Sequence, residues 1–98
     1  MKTVPFNRDF EQMLISAERY ALGRATYIVS STVNYIVSFR KELSDWCIGI
    51  ILQDINSELE MCERMNRMIG MQCDHNNWLW LKNILEAEQW KRKAAQND

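Results

Sequence analysis

The sequence predicts an all-α fold, a compact bundle of about four helices, and three observations predict it. Punctuation is scarce, with one Pro and three Gly in 98 residues, which favours long helices over many short strands. Apolar residues recur at helical spacing through the long runs between those breaks. The composition, 47% apolar and 26% charged, is that of a globular chain and not of a disordered one. A chain of this length makes one domain, 1–98, with a thin core, and a thin core makes pairing with another chain attractive.

The first helix is expected over about 7–22. Asn7 is its N-cap candidate, because a short polar side chain can accept an orphan backbone N–H. Phe10, Met13, Leu14, Ala17 and Ala21 form its apolar face, and Gly23 suits a helix stop. The second segment, 26–40, reads two ways. Val29, Val33, Ile36 and Val37 make a helical stripe, yet Tyr27, Val29, Val33, Tyr35, Val37 and Phe39 also alternate as in a strand. Its length without a turn signal selects helix and leaves strand as the alternative.

The third helix, 44–69, begins at Ser44, an N-cap candidate, followed by Asp45 at the positive end of the dipole. Ile48, Ile51, Leu52, Ile55, Leu59 and Cys62 hold one face, Met65 and Ile69 continue it, and Gly70 ends it. A kink is expected near Asn56-Ser57. The fourth helix, 75–94, carries Trp78, Leu81, Ile84, Leu85 and Glu88 on one face, widened by Trp80 and Ala87. Lys91, Arg92 and Lys93 near its end have the sign that the negative pole of a helix prefers.

The chemistry-bearing residues are sparse. Net charge is −1, so there is no global basic field for nucleic acid, and Lys91-Arg92-Lys93 is the one basic cluster. Three cysteines, Cys47, Cys62 and Cys73, form no close-spaced disulfide framework. Cys73 and His75, with Cys62, are the nearest approach to a metal site, but the paired short spacings of structural zinc are missing. Cys47 and Cys62 read instead as small core hydrophobes. His75 is the one histidine, and no nucleophile elbow accompanies it. The carboxylate pairs Glu58 and Glu60, and Glu86 and Glu88, read as solvated faces. No enzyme, cofactor or metal is therefore expected, and neither a signal region nor a membrane-spanning run is visible, which gives a cytoplasmic expectation.

Three features suit binding. Met61, Met65, Met68 and Met71 could pack a core, a dimer or an adaptable partner groove. Trp78 and Trp80, two apart on a helix, cannot face the same way, so one belongs at an edge or an interface. Gly23-Arg24 between two helices could turn backbone N–H groups toward an anion, with Arg24 and Thr26 as donors.

The run Arg19-Tyr20-Ala21-Leu22-Gly23-Arg24-Ala25-Thr26-Tyr27-Ile28-Val29-Ser30 resembles a signature of small bacteriophage and prophage proteins. An Ile-rich helix like Ile48 to Ile55, and an Asp and Trp pair like Asp74 and Trp78, extend that resemblance over most of the chain. The signature implies no particular activity. Its phage setting implies an accessory factor that binds and inhibits a host protein, in the manner of anti-CRISPR proteins acting on a CRISPR–Cas component. The partner-binding residues expected on this reading are Arg19, Tyr20, Arg24, Thr26, Tyr27, Trp78 and Trp80, with a homodimer also compatible. The alternatives are a nucleotide-sequestering protein using the Gly23-Arg24 turn and a DNA-binding regulator using the Lys91–Lys93 end, the latter disfavoured because none of the four helices is clearly basic.

Overall fold

The computed structural model describes residues 8–22, 26–69 and 76–96, with backbone alone for Thr26 and for 65–69. Four helices account for these residues almost completely: α1 (Arg8–Ala21), α2 (Thr26–Phe39), α3 (Asp45–Ile69) and α4 (Asn76–Gln96). Each expected helix is present, with ends within two residues of expectation. The ambiguous second segment is helical. The expected caps at Asn7, Gly23 and Gly70 lie outside the described residues. α3 runs through Asn56-Ser57 without a break.

The helices pack in a ring. α1 lies against α2 and α3, and α4 lies against α2 and α3, so α1 and α4 stand on one diagonal and α2 and α3 on the other. Side-chain bonds fix the directions. Glu11 reaches Ser44 and Arg19 reaches Asp54, so α1 and α3 run parallel. Phe10 packs edge-on against Phe39, at 6.2 Å between ring centroids, so α1 and α2 run antiparallel. Arg92, near the end of α4, reaches Asp45 at the start of α3, so these two are antiparallel as well.

Inside the ring lie Leu14, Ile15, Ala21, Val29, Val33, Ile36, Leu43, Cys47, Ile48, Ile51, Leu52, Ile55, Trp78, Leu81 and Leu85. This contains the expected stripe of α3 from Ile48 to Ile55, with Leu59 partly buried against it, and most of that of α4, while the side chains of Met65 and Ile69 are not described. α1 departs from expectation. Met13 and Ala17 face outward, and Ile15, Glu11 and Glu18 are buried in their place. A 100° rotation per residue separates the two sets, and two inward carboxyls decide between them. In α4, Trp80 and Ala87 are exposed and do not widen the core.

The carboxyl of Glu11 is a built joint. Its two oxygens accept from the Ser44 backbone N–H at 2.6 Å and the Ser44 hydroxyl at 2.8 Å. The same hydroxyl oxygen accepts from the Cys47 N–H at 3.2 Å, which makes Ser44 the N-cap of α3. α1 thus anchors the start of α3 through a buried acid. The opposite joint is Arg92. Its guanidinium donates to Asp45 at 2.8 Å, to Glu88 at 3.0 Å, and to the Arg40 and Lys41 carbonyls at 3.1 and 3.3 Å. Carbonyls just past the end of α2, which no helix can satisfy, are met by this fork. Glu88 is accordingly buried and paired, not solvated, whereas Glu86 and Glu60 are exposed as expected and Glu58 is half-buried.

Candidate functional site

The α1–α2 hairpin presents a face in which the expected recognition residues and the unexpected outward residues meet. A groove of about 390 Å³ runs between the two helices, lined by Phe10, Met13, Leu14, Ala17, Ser31, Thr32 and Tyr35. Tyr35 stacks at a tilt on Phe39, with centroids 4.9 Å apart, so one end of the groove is an aromatic wall. The other end of the hairpin carries Tyr20 and Tyr27. Exposure is high at Met13 (62%), Tyr20 (59%), Tyr27 (74%) and Tyr35 (47%).

The charge distribution sets this face apart. α2 holds no charged residue in its 14 positions, TYIVSSTVNYIVSF. α1 has five ionisable residues, and four of them are directed away from the face. Glu11 and Glu18 point into the core. Arg8 lies 3.7 Å from the centroid of the Trp46 ring on α3, a cation–π contact. Arg19 binds Asp54 on α3, Nε to Oδ2 at 2.8 Å. Asp9, exposed in the first turn, is the remaining one. Exposed helix surfaces ordinarily carry charge for solvation, and this one exposes tyrosine, methionine, serine and asparagine instead.

Of the residues expected to bind a partner, Tyr20 and Tyr27 lie on this hairpin and are exposed. Arg19 is on the same hairpin but turned to Asp54, with its side chain still 59% exposed. Arg24 lies outside the described residues, as does the side chain of Thr26. Trp78 is a correction: it is 2% exposed and fills the core, so it cannot meet a partner. Trp80, two residues on, is 46% exposed, which is the split that helical geometry demands. Sequence reasoning missed Met13, Ala17 and Tyr35. The signal lay in α1, where Glu11 and Glu18 are seven apart and share the face of Leu14 and Ile15; placing those acids inside turns Met13 and Ala17 out.

Glu18 is the electrostatic outlier. It is fully buried, and neither carboxyl oxygen is held in a well-formed hydrogen bond. Its pKa is pushed up to about 9, first by burial, then by the Asp54 carboxylate, which offers an acceptor for the protonated acid and repels its charged form. Arg19 pulls the other way and Glu58 adds to the rise. The physical state that fits a buried acid beside a carboxylate is the neutral one, its proton directed to Asp54. Cys47 is buried and its thiol is pushed up to about 12, by burial and then by Glu11, so it stays protonated. Cys62 is buried too, and its thiol donates to Glu58 Oε2 at 3.6 Å.

Cys73 and His75 fall outside the described residues, and among the described residues no group of three or more His, Cys, Asp or Glu side chains is placed to hold a metal ion. Of the methionine run, Met61 is the described side chain, 47% exposed, and Met65, Met68 and Met71 are not described. No described helix is long and apolar enough to cross a membrane. The Lys91–Lys93 cluster is divided, since Arg92 is directed inward while Lys91 and Lys93 are exposed. Compared with known proteins, the chain matches no family model, no curated protein and no solved structure.

Proposed function

We propose that the chain is a protein-interaction module that acts by binding another polypeptide over the α1–α2 face. One observation carries this: a surface spanning two helices is exposed, aromatic and free of charge apart from Asp9, while the other charges of α1 are directed inward or to α3. Water solvates such a surface poorly, and tyrosines in a desolvated centre are the side chains that supply binding energy. The finer reading is a phage accessory factor that inhibits a host protein, a CRISPR–Cas component being one candidate. Its support is the resemblance of Arg19 to Ser30 to phage proteins, a stretch that spans the joint of this hairpin.

A photo-crosslinking residue placed at Tyr35 or Tyr27 tests the face in cells. Adducts to a polypeptide are expected from both positions and not from Gln53, an exposed position on α3. Absence of any adduct from positions 35 and 27, with the chain folded and abundant, would sink the reading. The mass of the adduct states whether the bound polypeptide is a host protein or the same chain.

A further inference from the structure

We infer that one polypeptide seated on the α1–α2 face is a second copy of this chain, paired about a two-fold axis through the middle of the hairpin. The inference rests on the interaction reading above and names a partner for it.

Three observations lead there. The first is the arrangement of knob and hole. The groove occupies one end of the hairpin, at Phe10, Met13, Leu14, Ala17, Ser31, Thr32 and Tyr35. The exposed aromatic side chains Tyr20 and Tyr27 occupy the other end. A two-fold axis near Ala17 and Ser31 lays the Tyr20/Tyr27 end of each copy over the groove of its mate. Each contact is then made twice, which is the defining property of an isologous interface.

The second is charge. Residues near a two-fold axis meet their own copies, so any charge there meets its like. α2 has none, and the central residues of the face, Ala17 and Ser31, are small and uncharged. Small residues at the axis also let two helix pairs approach closely.

The third is area. Met13, Tyr20, Tyr27 and Tyr35 together leave about 500 Å² of side chain open, taking ~200 Å² for one whole large side chain. A stable pair buries about 800 Å² per partner. The groove floor and the polar flank of Gln12, Ser16, Ser31 and Asn34, all exposed, supply the remainder. The pair so formed adds a second, shared layer to a chain whose own core is thin.

The experiment is sedimentation of the full chain and its variants. The wild type is expected near twice 11.7 kDa at roughly 100 µM, where interfaces of this size are occupied. Tyr27→Ala removes the knob and is expected to weaken pairing about tenfold or more, as loss of a central tyrosine does. Ser31→Arg and Ser31→Glu are each expected to be monomeric with unchanged circular dichroism, because position 31 is exposed. Mixed in equal amounts, the two charge variants are expected to recover the dimer mass, since Arg then meets Glu across the axis. A monomeric wild type overturns the inference. So does a pair of monomeric charge variants that stay monomeric on mixing. The interaction reading fails separately, by the absence of adducts from positions 35 and 27; a monomer crosslinked there to a different polypeptide would sink the self-pairing alone.

Discussion

Two buried acids of α1 have opposite fates, and the difference lies in what each one touches. Glu11 stands against a helix N-terminus whose N–H and hydroxyl donate to it, so its charge is solvated by the protein. Glu18 stands against another carboxylate and is held neutral, with a pKa near 9. The linkage is direct. Unfolded, Glu18 releases its proton around the ordinary value of 4.5; folded, it keeps the proton to about 9. Over that window the native state binds more protons than the unfolded state, so stability is full below about pH 4.5 and falls as pH rises toward 9. Glu18→Gln removes this titration while keeping shape. The variant should unfold at higher urea than the wild type at pH 8.5 and at a similar concentration at pH 4.5. Parallel pH profiles for the two proteins would contradict the assignment. Glu11→Ala should act in the reverse sense, costing about 2–3 kcal/mol at neutral pH because it strips buried donors of a charged acceptor. Urea unfolding at pH 7 reads that loss directly.

At the scale of the helix, α2 shows what was legible in the sequence and what was not. Its 14 residues contain no strong helix former. Local preference therefore left strand open, and the helix exists because Val29, Val33 and Ile36 bury one stripe against the other three helices' core. A peptide of Thr26–Phe39 should accordingly show no helical circular dichroism in water; a helical spectrum would mean that local preference suffices. The stripes of α3 and α4 were legible because they are long and periodic. The groove was not, because the phase of α1 depends on two acids satisfied or neutralised only by distant residues, Ser44 and Asp54. Nor was the inward turn of Arg92, whose partners other than Glu88 lie 47 to 52 residues away in sequence. Within α3, Gly49 sits in the second turn, and nothing beyond its own stretch of helix lies within 4 Å of the position a Cβ would take. Gly49→Ala should therefore stabilise by about 0.5–1 kcal/mol through lower backbone entropy of the unfolded chain. A rise of several degrees in Tm is the corresponding reading for a domain of this size, and a fall would show that the space is not free.

For the molecule as a whole, the ring of four helices spends its charges on holding itself together. Arg92 ties α4 to the start of α3 and to carbonyls past the end of α2, and Arg19 ties α1 to α3. These bonds gather on α3 and α4, and the outer surface of α1 and α2 is left without charge apart from Asp9. If two copies close over that surface, folding and association become one equilibrium, because the pair binds native chains and not unfolded ones. Stability then depends on concentration. Raising the concentration a hundredfold adds about 2.7 kcal/mol per dimer by mass action, which corresponds to roughly 5–10 °C in Tm for a unit of about 200 residues. The charged variant Ser31→Arg should melt at a temperature independent of concentration. Calorimetric scans of both proteins over that range distinguish the cases: a wild-type Tm that does not move places the whole stability of the fold within one chain.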